Sequence, residues 1–249
     1  MTTLRLAWGG PPNALAKGLA PQKDPTDEPA LLVSYFYYEA FKKQRHKYGF
    51  RNWSMDSGAF SANNSGKVID LSQYIESCKE LLANDPQLTE VFALDVIGDW
   101  RASMKNTERM WAEGVPAIPV FHANDPWHVL ESMKGEFPKI SIGGVAGFIR
   151  SGPEKEKFYG QCFARVWPCK IHALGLASPH TMLRFPFHSV DACSWEFGPA
   201  GFGSWRAFGG SMPIRGGDMN LRPEVDWYMR LERKVQRRWE KEMKMLESM

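Results

Sequence analysis

The sequence predicts an α/β fold, with a compact (β/α)8 TIM-like barrel as the first choice and an open doubly wound sheet as the second. Short apolar segments alternate with amphipathic ones in units of about 25 to 35 residues, which favours parallel strands joined by right-handed crossovers. The chain has 249 residues, which suits a barrel of roughly 250 residues. Polar residues gather where the apolar segments end, as they do at the sites of barrel enzymes.

The predicted strands are short segments rich in aliphatic, β-branched and aromatic residues. Seven of them are clear, and an eighth is expected either near Leu4 or between Phe202 and Phe208. The clear strands begin at Leu31, Trp53, Val91, Ala117, Ile140, Lys170 and His188.

Helices are predicted between these strands. Asp70 and Ser72 both offer N-caps for a helix that ends near Ala83, because short polar side chains accept hydrogen bonds from the first free backbone N–H groups. The polar segment 61–67 is predicted to be a loop that could close over a ligand. Other helices are predicted over residues 39–47, 102–113, 126–133, 153–165 and 178–183.

We predict one catalytic domain over residues 1–222, followed by a basic helix, 223–249, that packs on the barrel or extends from it. Within the domain, residues 196–222 are rich in glycine and aromatic residues, which is typical of a surface loop with a hairpin or of a surface that faces nucleic acid. The basic helix is either a solvated helix or a phosphate-binding one. The candidates for contact with nucleic acid are Arg206, Arg215, Arg233 and Arg237.

Composition narrows the class of protein. Hydrophobic residues make up 43% of the chain and the formal net charge is +3, which permits a polyanionic partner without requiring one. The cysteines Cys78, Cys162, Cys169 and Cys193 lie far apart, and no pair has zinc-site or redox spacing, so we expect reduced thiols and no metal. Because no secretory signal and no run of roughly 18 apolar residues occurs, we expect a cytoplasmic protein that does not span a membrane.

Two acids stand at predicted strand ends, Asp56 in WSMDSGAF and Asp191 in SVDACSW. A carboxylate can form an ester with an anomeric carbon while a second one moves a proton, so the pair could divide the work of glycosyl transfer. The alternative is that each acid caps a helix or holds a loop.

Three further strand ends could bind a flat base. Asp95 could accept two hydrogen bonds from a guanine-like N–H edge, or form a structural salt bridge. His122 could donate to a carbonyl oxygen, although a histidine at a strand end is often structural. The doublet Gly143-Gly144 would let a ring approach the backbone, since no Cβ intervenes, or it could form a tight turn.

The segment Asp56-Ser57-Gly58-Ala59-Phe60 resembles the DSGGFQ motif of tRNA-guanine transglycosylases. Later segments follow in that family's order over about residues 50 to 195. Asp95 ends an apolar strand, PVFH stands where the family has a strand ending in glutamine, and ISIGGVAG where it has a GGLAVGE-like loop. HALGL resembles the MGVG-like strand, and SVDACSW resembles the strand that carries the nucleophilic aspartate.

The departures from that family point to a subgroup. Ala59 and Ser61 replace the second glycine and the glutamine of the motif, the chain is much shorter, and the zinc subdomain is missing after Cys193. The sequence is more similar to the DpdA group, DNA-acting relatives that include phage proteins. The resemblance implies DNA as partner, a preQ0-like 7-deazaguanine base as co-substrate, and genome modification that protects a phage against restriction, in the host cytoplasm.

The resemblance also implies the residue roles. Asp191 would attack C1′ of a deoxyguanosine and expel guanine, and Asp56 would be the general acid/base that activates the incoming base, without a cofactor. The base edge would be read by Ser57, Asp95, His122, Gly143 and Gly144, with the target nucleotide turned out of the stack. The alternatives are a tRNA substrate, a barrel N-glycosidase or nucleoside hydrolase, and a non-catalytic nucleic-acid-binding protein. The oligomeric state stays open.

Overall fold

A computed structural model describes residues 1–8, 18–211 and 220–248. Its main feature is one sheet of eight strands in the order β4-β3-β2-β1-β8-β7-β6-β5. Neighbouring strands in this sheet are parallel, which confirms the predicted α/β class. The strands are β1 Thr3–Trp8, β2 Ala30–Ser34, β3 Asn52–Asp56, β4 Leu88–Val91, β5 Val120–His122, β6 Lys139–Gly143, β7 Lys170–Ala173 and β8 Ser189–Ala192.

Helices alternate with these strands, as the sequence predicts. A small antiparallel hairpin, β9 Ser204–Trp205 with β10 Gly210–Ser211, follows the sheet. The helices are α1 Tyr38–Gln44, α2 Ala59–Asn64, α3 Leu71–Asn84, α4 Trp100–Ala112, α5 Trp127–Met133, α6 Val145–Phe148, α7 Gly152–Val166, α8 Pro179–Arg184, α9 Ser194–Phe202, α10 Arg222–Arg238 and α11 Glu240–Glu247. None of the helices in the described ranges is long and apolar enough to cross a membrane.

The sheet is curled, so that its two edge strands approach each other. A parallel bridge joins Phe92, just after β4, to Ile118, just before β5. The Ala93 N–H donates to the Ile118 carbonyl at 2.9 Å, and the Ile118 N–H donates to the Val91 carbonyl at 2.9 Å. Both edges of the sheet therefore pair with each other at this point instead of facing solvent, where they would invite pairing with other chains.

The two faces of each strand have different surroundings, because successive side chains of a strand point to opposite sides. In β1, Leu4, Leu6 and Trp8 belong to the main core between sheet and helices. The opposite face is more polar, as Arg5 illustrates. This inner face also has a small apolar cluster of Leu32, Phe92 and Ile118, with Ala7 and Leu174 packed against it.

A buried ion network spans the inner face near the amino ends of the strands. Glu90 contacts Arg5 Nη2 at 3.0 Å and Lys139 Nζ at 2.6 Å, so one carboxylate serves two cations. Burial opposes the charge of Glu90, but the cations outweigh it and lower its pKa to about 2. For Lys139, burial outweighs the attraction of Glu90 and lowers its pKa to about 8.

Several predicted boundaries were wrong for local reasons. Residues 61–67 were predicted as a loop, but most of the segment belongs to α2, whose first turn forms when the Ala62 N–H bonds to the Gly58 carbonyl. The fourth strand lies earlier than predicted, because the backbone after Phe92 bonds to side chains of α4. The Ser103 hydroxyl accepts from the Val96 N–H at 2.8 Å, and the Asn106 amide donates to the Leu94 carbonyl at 2.9 Å.

The eighth strand of the sheet is β1, which is one of the two predicted positions, and Ser204–Trp205 belongs to the separate hairpin. The predicted basic helix is divided into α10 and α11 at Trp239. How the chain divides into domains stays a prediction.

The ion network predicts a large stability difference between two glutamate variants. Glu90→Gln leaves two buried cations without their shared carboxylate, so we expect the free energy of unfolding to fall by about 3–5 kcal/mol in urea titrations at pH 7. Glu76→Gln is the matched control, since Glu76 is 72% exposed beside Lys79 and should lose less than about 1 kcal/mol. Equal losses of unfolding free energy in the two variants would contradict the proposed contribution of the ion network to stability.

Candidate active site at the carboxyl ends of the strands

The turn after β3 holds two of the predicted site residues. The Asp56 carboxylate accepts a hydrogen bond from the Gly58 N–H at 3.0 Å, and the Ser57 hydroxyl accepts one from the Ala59 N–H at 3.3 Å. Gly58 has φ 79°, and a Cβ there would lie 2.6 Å from Ser34 Oγ. Only glycine fits this backbone without strain, so the motif's glycine fixes where the two preceding side chains point.

A chain of hydrogen bonds joins the next two strand ends to this turn. The Ser57 hydroxyl donates to Asp95 Oδ1 at 3.0 Å, and Asp95 Oδ2 lies 2.9 Å from His122 Nε2. On the other side of the ring, His122 Nδ1 lies 3.5 Å from Asp125 Oδ2, and the same oxygen accepts from the His122 backbone N–H at 2.8 Å. Ser57, Asp95 and His122 therefore form one connected unit.

The charge of His122 follows from these partners. Burial lowers the pKa of His122, but its hydrogen bonds to Asp125 and Asp95, together with their negative charges, outweigh burial and raise the pKa to about 9. The ring is therefore an imidazolium at neutral pH, with both N–H groups directed at carboxylates. Its charge stabilises Asp95 as an acceptor facing the site.

The pKa of Asp56 is also raised, but for an acid this favours the neutral form. Part of its surface stays accessible, yet loss of solvation raises its pKa to about 7, and the negative charges of Asp95 and Asp191 add to this effect against the hydrogen bond from Gly58. A carboxyl group with this pKa both gives and takes a proton near neutral pH. The influence of Asp191 also indicates that the two acids lie near enough for their charges to interact.

Asp191, in β8, is held by a different set of contacts. Its Oδ1 accepts from the Gly175 N–H at 3.0 Å and lies 3.2 Å from His172 Nε2. His172 is fully buried, which lowers its pKa and keeps the ring neutral. Its Nδ1 lies 2.7 Å from the Ser189 hydroxyl, so Nε2 carries the proton for Asp191 and Nδ1 accepts from Ser189. Oδ2 of Asp191 makes no hydrogen bond with any residue in the described ranges.

His172 is a site residue that the sequence analysis missed. The available indication was its position in a strand next to the one that carries Asp191: His172 pairs with Ser189, two residues before that acid. Side chains at paired positions of neighbouring strands lie on the same face.

The glycine doublet clears the space beside His122. Gly143 is paired with His122 across β5 and β6, and a Cβ on Gly143 would lie 3.4 Å from His122 Cδ2 and 3.2 Å from Val120 Cγ1. Gly144 has φ 72° and begins α6. The structure thus brings all seven predicted catalytic and base-binding residues to one end of the sheet, namely Asp56, Ser57, Asp95, His122, Gly143, Gly144 and Asp191.

A cavity of about 630 Å³ lies next to the site, although Asp191 itself does not line it. Gly175, which donates to Asp191, lines this cavity, and so does Arg206. Arg206 also lies over the Trp227 ring, with its guanidinium carbon 5.4 Å from the ring centre. This predicted nucleic-acid-binding residue therefore stands near the candidate site.

The other three predicted arginines are placed differently. Arg233 of α10 forms a salt bridge with Asp27 at 2.9 Å. The neighbouring Glu232 accepts from the Leu4 N–H at the start of β1 at 2.9 Å, so this part of α10 lies at the amino ends of the strands, away from the candidate site. Arg237 is exposed one turn further along. Arg215 lies outside the described residues.

Exposed phenylalanines follow several of the strand-end turns. Phe60 comes after the Asp56 turn and is 68% exposed, and Phe148 comes after the glycine doublet and is 55% exposed. Phe202 and Phe208, near the hairpin, are 82% and 51% exposed. Exposed aromatic rings can stack on nucleic-acid bases.

No group of three or more His, Cys, Asp or Glu side chains within residues 1–8, 18–211 and 220–248 is placed to hold a metal ion. Models of known protein families give no match to the sequence, and a search of curated proteins also finds none. The evidence on function is therefore the site itself.

The ion pairs of His122 predict a pH-dependent stability. A raised pKa in the folded protein stabilises it fully below the unfolded value of about 6.5, and the contribution is lost as pH rises through about 9. Relative to His122→Gln, the wild type should lose about 3 kcal/mol of unfolding free energy over this range. Urea titrations at several pH values measure the difference. His46→Gln is the control, because His46 is exposed, and its stability should change with pH as that of the wild type does. If the plots of unfolding free energy against pH are parallel for His122→Gln and the wild type, the raised pKa of His122 is contradicted.

Proposed function

We propose that this protein is a DNA-guanine transglycosylase, which exchanges guanine in DNA for a preQ0-like 7-deazaguanine base through a covalent aspartyl-DNA intermediate. The observation that carries the proposal is the pair Asp191 and Asp56, two carboxyl groups that share one space and have different surroundings. Contrasting environments of this kind divide the roles of two acids in many enzymes. The curled eight-stranded parallel sheet, with its polar groups at the strand ends, supports a (β/α)8 barrel enzyme as the fold.

In the first step Asp191 is the nucleophile. Its Oδ2 forms a bond to C1′ of the target deoxyguanosine, and the bond from C1′ to the base nitrogen breaks, with its electron pair leaving on guanine. The contacts of Oδ1 with Gly175 and His172 keep the carboxylate in place for this attack. Asp56, in its protonated form, gives its proton to the departing base.

In the second step the proton returns. The incoming 7-deazaguanine loses the proton of its five-membered-ring nitrogen to Asp56, attacks C1′, and the bond from C1′ to the Asp191 oxygen breaks. Two inversions at C1′ give net retention. The protein ends in its starting protonation state, so the exchange consumes no other reactant.

Base recognition is assigned to the unit of Ser57, Asp95 and His122. Each oxygen of Asp95 already accepts one hydrogen bond, and a carboxylate oxygen has a second lone pair. Two such lone pairs match the neighbouring N–H donors on the edge of guanine and of 7-deazaguanine. His122 supports this contact by holding Asp95 in place through a hydrogen bond, and Gly143-Gly144 leaves room for the ring.

DNA as substrate is supported by the surroundings of the site. Reaching C1′ requires the nucleotide to leave the stack, which costs a few kcal/mol. Exposed rings such as Phe60 and Phe148 could recover part of this by stacking. Genome modification that protects a phage against restriction stays an implication of the resemblance.

Loss of the nucleophile tests the reaction directly. We expect Asp191→Asn to abolish the covalent adduct with a guanine-containing oligodeoxynucleotide on denaturing gels, and to lower incorporation of labelled 7-deazaguanine at least about 10³-fold. Asp70→Asn is the matched control. Asp70 is the N-cap of α3, far from Asp191 in the sequence, and asparagine caps a helix equally well.

The same assay separates the alternatives. Retained exchange in Asp191→Asn would overturn the proposal. Adduct formation with tRNA alone would change the substrate to tRNA, and release of guanine into water without an acceptor base would indicate a hydrolase.

The pKa of Asp56 predicts the pH dependence of the first step. Because the departing guanine takes a proton from Asp56, the single-turnover rate of adduct formation should fall as pH rises through about 7. Asp56→Asn should be slower by about 10²–10⁴-fold and lack this titration. Quenched-flow measurements between pH 5.5 and pH 9 check this. A wild-type rate that rises through pH 7 would assign Asp56 the role of base in this step.

A further inference from the structure

A tyrosine that the exchange reaction does not use lines the cavity beside the candidate site. Tyr159 of α7 lines the cavity and is only 2% exposed. Its ring is fixed by aromatic neighbours, with Phe187 at 5.1 Å and Phe158 at 5.9 Å between ring centres. The hydroxyl makes no hydrogen bond with any residue of the described ranges. Because Tyr159 lines the cavity, a ligand bound there can accept a hydrogen bond from this hydroxyl.

The hydroxyl of Tyr159 is a donor that lies near the reacting carboxylate. Burial raises the pKa of Tyr159, and the charges of Cys162 and Asp191 add to the effect, so the group stays protonated. An acceptor oxygen on the ligand therefore fits it better than a donor does.

Positively charged groups also line this cavity. Lys155 also lines it, one helical turn before Tyr159 and therefore on the same face of α7. Within the described residues Lys155 forms no salt bridge. The first residues of α7, Gly152 and Pro153, line the cavity as well, and the amino end of this 15-residue helix carries partial positive charge that favours anions.

The remaining charged groups at the cavity leave this balance positive. Arg206 also lines the cavity and forms no salt bridge with a described residue. Glu156 is the acid at the cavity, but its carboxylate contacts Arg184 at 2.9 Å and His180 at 2.5 Å. Lys155 therefore has no salt bridge with a described residue to give up on meeting an anion, whereas Arg206, over the Trp227 ring, also interacts electrostatically with Glu224.

We propose that this cavity binds a phosphodiester group of DNA next to the reacting nucleotide, with Lys155 and Arg206 pairing with its charge and Tyr159 donating to one of its oxygens. The identity of that nucleotide rests on the proposed function. The sugar that meets Asp191 carries phosphates at its 3′ and 5′ oxygens, and the cavity begins at Gly175, the residue that holds Asp191.

Binding measurements with single neutral linkages test the contact. The probe is a fluorescent single-stranded oligodeoxynucleotide with one guanine, either fully charged or with one methylphosphonate at a chosen position, and anisotropy at low salt gives Kd. We expect Lys155→Ala to bind the charged strand about 10-fold more weakly and Tyr159→Phe about 3-fold more weakly. When the methylphosphonate replaces one particular linkage beside the guanine, wild-type binding should weaken about as much as it does in Lys155→Ala. With that strand, Lys155→Ala should have no further effect.

Two matched variants control for folding and for general charge. Lys157→Ala removes an exposed lysine of the same helix that does not line the cavity, and Tyr48→Phe removes a hydroxyl that donates to Gln44 elsewhere. Both should bind as the wild type does, and thermal melting confirms that the four variants are folded.

Three outcomes would overturn the proposal. Lys155→Ala could bind the charged strand normally, or it could lose the same affinity at every methylphosphonate position, which would exclude contact with one phosphate. Finally, Lys155→Ala could bind the strand normally but bind deoxyguanosine monophosphate more weakly, as measured by competition. That result would indicate a site for free nucleotides. Failure of adduct formation would refute the exchange reaction. The binding result could still be interpreted, because binding needs no turnover.

Discussion

Pairing of the strands in one parallel, curled sheet is the constraint on which the site depends. Parallel strands end at the same edge, and alternation along each strand decides which residues face inward. Asp56, His122 and Asp191 are far apart in sequence, but each stands at or near the carboxyl end of a strand on the inner face. The bridge between Phe92 and Ile118 brings the edge strands together, and with them Asp95 and His122. Without that closure, the hydrogen bond between these two side chains would have no geometric basis.

Given this shared space, the local surroundings give each acid its properties. Asp191 has two hydrogen-bond donors on one oxygen, whereas Asp56 accepts from backbone N–H groups beside two neighbouring negative charges. A raised carboxyl pKa means that ionised Asp56 destabilises the folded protein, and this effect grows as pH rises from about 4 to about 7. Strain of this kind is typical of functional sites, since a purely structural position would select a neutral side chain.

The sequence predicted the strand ends better than it predicted the contacts between them. Asp56, Asp95 and His122 could be found because an apolar segment followed by a polar residue is a local pattern. The neutral state of His172 could not be predicted, because it depends on burial by Phe92 and on Ser189 in another strand. Arg233 shows a related difficulty, since the charge pattern of a helix identifies its exposed face but not which end of the sheet that face adjoins. The start of α2 was missed because its first hydrogen bond goes to the Gly58 carbonyl in the turn after β3, which a local sequence pattern does not reveal.

The distribution of charge across the site suggests how a carboxylate nucleophile could work beside a polyanion. A phosphodiester next to Asp191 would be repelled by the acids gathered at the strand ends. His122 offsets Asp95 and Asp125 with its positive charge, and near neutral pH Asp56 is largely or partly protonated because its pKa is about 7. Lys155 and Arg206 line the cavity next to Gly175, the residue whose N–H holds Asp191. Under the proposal, the phosphate would meet these cations rather than the acids at the strand ends, while the sugar would lie at Asp191.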